Sequence, residues 1–140
     1  MSTSSVLYEQ VVPGARPNDA TGAPRLDVLT KIDGRTVFID VAVTHALGRR
    51  PMSGGLACRK DGAAAEIYER YKHSLYPGVA VTPAILEAHG RPGEALIALV
   101  RGCTAHLQSA ERSSAIASIW QSISVTLQNH NAKMITTFTP

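Results

Sequence analysis

Apolar and polar residues change their spacing along this chain, and each spacing predicts an element. Between 25 and 45 the apolar residues gather in two short runs. The first is Arg25-Leu26-Asp27-Val28-Leu29, and the second runs Thr36-Val37-Phe38-Ile39-Asp40-Val41-Ala42-Val43-Thr44. The second is rich in β-branched side chains and both are short and apolar, which predicts strands at about 25–32 and 36–45. Asp33-Gly34 stands between them. Asp-Gly joining two such runs signals a type I′ hairpin, whose central residues both need positive φ. From 63 to about 75 the period lengthens. Ile67, Tyr71 and Leu75 fall four apart on one helical face, and Tyr68, Lys72 and Tyr76 fall four apart on the adjacent one. Pro77-Gly78 stops this helix. An extended apolar run follows over 79–87. It contains Pro83, which cannot donate to a ladder, so a short or bulged strand is expected. Pro92 opens a helix to about Gln108. Ile116, Ile119, Trp120, Ile123 and Leu127 then mark a last helix over 113–131.

Breakers separate these elements. Residues 4–12 read as a short helix or strand ending before Pro13, and 13–24 and 47–62 read as long loops. Loops of that length usually carry function or move. The order is an optional first element, a hairpin, a helix, a strand and two helices. That order predicts a mixed α/β fold, with hairpin and later strand in one sheet flanked by helices. The 140 residues are the size of one domain. We divide them into an N-terminal segment and loop (1–24) and a core (25–135).

Composition narrows the class. A hydrophobic fraction of 44% supports a packed core and argues against wholesale disorder. The net charge of +3 suits a nucleic-acid partner without requiring one. No run of 18 apolar residues occurs, so no membrane span is expected. The first residues, Met1-Ser2-Thr3-Ser4-Ser5, lack the charged and apolar regions of a signal peptide, so an intracellular protein is expected. Cys58 and Cys103 form no CxxC spacing, so a structural zinc site or a disulfide framework is not expected.

The candidate chemistry lies in Asp27, Asp40 and Lys72. The hairpin would bring the two aspartates together across the sheet. A carboxylate among Val, Ile and Phe is costly unless its desolvation is offset, and a divalent cation would offset it. Two carboxylates can hold Mg²⁺ with waters completing its octahedron. Lysine beside them would neutralise a phosphate or orient a water. The opposing reading is ordinary strand-end aspartates and a solvated helix lysine.

At these residues the chain resembles the PD-(D/E)XK nuclease superfamily, whose core is a helix, a hairpin with an acidic pair, a helix and a further strand. More narrowly, it resembles the endonuclease domain of site-specific non-LTR retrotransposons. That group places a basic residue, Pro and Asp twelve to fourteen residues before a second acid. Here Arg25-Leu26-Asp27 is followed by residues 28 to 39 and then Asp40. The lysine of that group is displaced onto the following helix in a Tyr-x-x-x-Lys-x-x-x-Tyr pattern, matched by Tyr68, Lys72 and Tyr76. Leu26 replaces the proline, and Ala42 stands where the unshifted motif has lysine. The segments 82–90 and 124–135 also resemble C-terminal regions of reverse-transcriptase-like proteins.

The resemblance implies a restriction-endonuclease-like core and Mg²⁺- or Mn²⁺-dependent hydrolysis of DNA, leaving 5′-phosphate ends. It also implies a place in a larger reverse-transcriptase-containing polypeptide, nuclear in a eukaryotic host. Glu9 is a candidate third metal ligand, since the family often supplies an acid before the hairpin. Arg25, Arg49, Arg50, Arg59 and Lys60 are candidate DNA contacts, and Lys60 is also an alternative to Lys72. His45, Tyr68 and Tyr76 are candidate supporting residues, and Glu87 either approaches the site or ends a strand. Two other readings stay open: an inactive nuclease-fold module that binds nucleic acid, and an assembly domain that forms a homodimer through the helix around Trp120.

Overall fold

The hairpin turn organises the sheet. Asp33 and Gly34 have φ of 49° and 75°, the positive pair that a type I′ turn needs; Gly34 adopts it without the penalty a Cβ brings. A computed structural model describes residues 6–11, 25–45 and 60–137, with the side chains of residues 9–11 and 25 left out. The loop expected at 13–24 and most of that expected at 47–62 lie outside the described residues. Strands β1 (Leu7–Val11), β2 (Arg25–Ile32) and β3 (Arg35–Thr44) form an antiparallel meander. Strand β4 (Val81–Glu87) pairs parallel to β3, giving the order β1-β2-β3-β4. Parallel neighbours need a crossover, and helix α1 (Ala63–Leu75) lies within it. Helices α2 (Glu94–Cys103) and α3 (Ser109–Thr137) follow. The protein is therefore a mixed α/β fold with a four-stranded sheet and three helices among the described residues.

Strand alternation assigns the two faces. Ala84 and Leu86 of β4 pack with Ile39, Leu96, Val100 and Leu127, beneath α2 and α3. Ile116, Ile119, Trp120 and Ile123, each half-buried, pack against that layer. Val81 and Glu87 of β4 meet Tyr76 and Ala65, beneath α1. Pro83 shares the parity of Val81 and Glu87 and pairs with Asp40, which sets Asp40 on the α1 face.

Pro83 neither shortens nor bulges β4. The strand keeps seven residues and an unbroken register from Phe38↔Val81 to Thr44↔Glu87. The reason is direction. Ile85 O accepts from Gly93 N at 2.8 Å, and Glu87 N donates to Arg91 O at 2.8 Å, so residues of this parity point their polar groups away from β3. Proline's missing N–H falls on the outer edge, where no ladder bond is lost.

Both later helices differ in their bounds from the sequence expectation: α2 begins at Glu94 rather than Pro92 and ends before Gln108, and α3 begins at Ser109 rather than 113 and ends beyond 131. Helix α2 stops at Cys103, where the backbone of Thr104 leaves helical geometry (φ −105°, ψ 4°) and its buried hydroxyl donates to the carbonyls of Val100 (3.0 Å) and Arg101 (3.2 Å). Helix α3 continues six residues past Asn131. The apolar stripe marks where a helix is packed, not where its backbone bonds end. Asn131 itself donates to Ala88 O at 3.1 Å, tying α3 to the end of β4.

Ile85 is wholly buried at the centre of β4. Ile85→Ala should cost about 2–5 kcal/mol of stability, measured by urea unfolding.

Candidate active site at the Asp40–Lys72 pair

The described β2–β3 pairing runs from the turn to Val28↔Ile39 and stops there. Asp27 and Asp40 are the next residue on each strand. Where the ladder ends, a side chain takes over: Asp27 Oδ2 accepts from Val41 N at 2.6 Å. This holds an exposed carboxylate against the backbone beside Asp40.

Asp40 itself is 4% exposed. Its partner comes from α1, thirty-two residues later in the chain. Lys72 Nζ stands 2.9 Å from Asp40 Oδ2, with both side chains largely buried. Tyr76, one turn beyond Lys72, is buried between Leu26 and Val81, and its hydroxyl also bonds the Asp40 side chain. Lys72 lies in the last turn of α1 and Tyr76 is the residue that follows its end, so the close of α1 delivers both groups to one carboxylate.

The electrostatics oppose one another. Burial pushes the Asp40 carboxyl above its ordinary value of 3.8, the Lys72 ammonium and the Tyr76 hydroxyl pull it down, and the Asp27 charge raises it. Burial prevails. Lys72 meets Oδ2 at ion-pair distance but without hydrogen-bond alignment. Oδ2 is thus a buried oxygen with no aligned donor among the described residues. Such an oxygen keeps lone pairs that a cation can use. No group of three or more His, Cys, Asp or Glu side chains is gathered for a metal among the described residues. Two carboxylates suffice for Mg²⁺, which keeps several waters and takes substrate phosphate oxygens as ligands.

The other candidates separate. Lys60 is exposed and bound to Glu66 at 2.6 Å, so the amine that meets Asp40 is Lys72. The β1–β2 register flanks Glu9 with Tyr8↔Val28 and Gln10↔Leu26, so its backbone lies across from Asp27. The side chains of Glu9 and Arg25, and all of Arg49, Arg50, Arg59 and Cys58, lie outside the described residues. His45 ends the β3 segment, with its ring 5.3 Å from that of His89 in an edge-to-face contact. Tyr68 packs edge-to-face on Tyr71 at 5.6 Å. Cys103 has its thiol pushed up by partial burial and by the Asp33 charge, which lowers its reactivity.

Two roles were not read from the sequence. One is the bond from Tyr76 to Asp40; its only signal is the spacing of four from Lys72. The other is Glu87, which is buried and accepts from Ala65 N at 3.3 Å. No local pattern announces that contact.

Because the folded-state pKa of Asp40 is raised, the folded protein binds a proton that the unfolded chain has already released. The resulting stability is complete below 3.8 and lost as pH rises through the raised value. Stability relative to Asp40→Asn should therefore rise as pH falls toward 3.8, as followed by melting temperature. Lys72→Met leaves a buried carboxylate without its cation and should cost on the order of 3 kcal/mol at pH 7. Adding Asp40→Asn should recover part of that loss in a denaturant titration.

Neither a protein-family model, nor a curated protein, nor a solved structure matches this chain.

Proposed function

We propose that this chain is a divalent-metal-dependent DNA endonuclease, the nicking module of a retroelement of the non-LTR kind its sequence resembles. The observation that carries this reading is the contact of Lys72 with Asp40 Oδ2 beside the Asp27 carboxylate. A functionless lysine and aspartate would rarely be buried together, because desolvating both charges costs several kcal/mol per ion. The element order of hairpin, helix and parallel strand supports the same reading.

In this proposal Asp27 and Asp40 hold Mg²⁺ or Mn²⁺, and Glu9 is a candidate third ligand. When bound between these carboxylates, such a cation would supply Lewis-acid activation of the scissile phosphate and charge stabilisation for the leaving 3′ oxygen. Asp27 remains anchored to the Val41 amide, which fixes its carboxylate while the charge nearby changes. Lys72 turns from Asp40 toward a phosphate oxygen and orients the attacking water. Tyr76 keeps its bond to Asp40, holding that carboxylate in place as Lys72 moves. Water adds to phosphorus and gives its proton to solvent, the P–O3′ bond breaks, the 3′ oxygen takes a proton from solvent to become a hydroxyl, and the 5′ product end carries the phosphate. Ala42 leaves room in the strand position where the unshifted motif has its lysine, and the cation reaches the acids from α1 instead. Arg25, Arg49, Arg50, Arg59 and Lys60 would contribute phosphate contacts with a salt-dependent affinity.

The same contact also favours a second reading. Lys72 occupies the oxygen that a cation would use, so a chain that never exchanges the two is a nucleic-acid-binding relative without catalysis.

One pair of measurements decides between them. Mg²⁺ should raise the melting temperature of the wild type by mass action and leave Asp27→Asn unmoved. The wild type should nick supercoiled plasmid in Mg²⁺, and Asp40→Ala should lower that rate by about 100-fold or more. DNA binding without nicking or metal stabilisation would select the second reading.

A further inference from the structure

The position of Lys72 depends on how α1 sits along the sheet; Glu69, accepting from Ala95 N at 3.0 Å, ties the helix to α2, and two further contacts tie it to the sheet near either end. The first turn of a helix carries amides with no internal acceptor. In α1 the residue before the helix is Gly62, with φ of 73° and no side-chain cap. Ala63, Ala64 and Ala65 are buried, so this end lies close against the sheet and away from water. The acceptor comes from another element. Glu87, 7% exposed at the end of β4, accepts from Ala65 N at 3.3 Å. Its own backbone is held on both sides, by Glu87 N donating to Arg91 O and Gly90 N donating to Glu87 O.

The second contact is Lys72 with Asp40. From Ala65 to Lys72 the helix advances seven residues, about 10.5 Å. On the sheet, Asp40↔Pro83 and Thr44↔Glu87 are rungs of one ladder four residues apart, about 13 Å. The two spans agree to within the reach of a lysine stem. Helix α1 thus runs back along the sheet from a fixed point at Glu87 to the acid at Asp40.

We propose that Glu87 is a positioning residue: by holding the first turn of α1 at the end of β4, it determines where Lys72 meets Asp40. The consequence for catalysis rests on the endonuclease reading; the geometric coupling does not.

The test is a double-mutant cycle with Glu87→Ala and Lys72→Met, read by thermal unfolding, together with nicking by the single variants of residue 87. Positioning requires that the two sites couple although they do not touch. Glu87→Ala should lower the melting temperature of the wild type by about 3 °C more than it lowers that of Lys72→Met. Glu87→Gln, which keeps the accepting oxygen, should restore the coupling. In nicking, Glu87→Ala should lose about tenfold in kcat with little change in KM, and Glu87→Gln should regain it. If Glu87→Ala does not fold, Glu87→Asp, one methylene shorter, goes through the same cycle. Additive melting shifts would overturn the proposal whether or not the protein cuts DNA. A wild type that does not nick, with the coupling intact, would overturn the endonuclease reading and leave Glu87 as the residue that sets α1.

Discussion

The parallel pairing of β3 with β4 is the constraint on which the rest depends. Antiparallel neighbours can be joined by two residues, as Asp33 and Gly34 join β2 to β3. Parallel neighbours cannot, because the chain must return to its starting end before pairing again. That return carries α1 across one sheet face, with Lys72 in its last turn and Tyr76 just past its end. The ladder also fixes the positions those groups meet, since Asp40↔Pro83 and Thr44↔Glu87 lie in a single register. A slip of one residue would send Asp40 to the opposite face, among Ala84, Leu96 and Leu127, where no cation waits.

The site built on this frame is held under electrostatic tension. Burial disfavours the Asp40 carboxylate, while Lys72 and Tyr76 favour it. The balance leaves a carboxyl titrating above its usual range next to an oxygen without an aligned donor. A core of similar volume made only of apolar side chains would fold as well or better, since buried ion pairs seldom repay their desolvation. Burying both charges is therefore no gain in packing, and that cost is the physical ground for proposing the pair as a functional site.

How much was legible in the chain varies with the range of the interaction. The hairpin and α1 were readable because their signals are local: Asp-Gly between short apolar runs, and Pro77-Gly78 after a helical period. Helix α1 spans the expected Ala63–Leu75. The ends of α2 and α3 were less so, because breakers and the apolar stripe mark where a helix is packed and not where its backbone bonds end. Pro83 was misread for another reason. Proline excludes a ladder bond, but whether its nitrogen faces the ladder depends on strand parity, which only the sheet defines.

By itself the sequence determined that there are two acids in adjacent strands, a lysine on a following helix, and turn residues that allow the strands to pair. These follow from side-chain period and backbone φ, which act over a few residues. Tertiary structure decided that Lys72 rather than Lys60 meets Asp40, that Tyr76 joins them, and that Glu87 accepts from the buried first turn of α1. Those contacts join residues 22 to 36 positions apart in ways no local period encodes. They exist because burial raises the cost of every unmatched charge and amide, and only the folded chain determines which partners are close enough to match them.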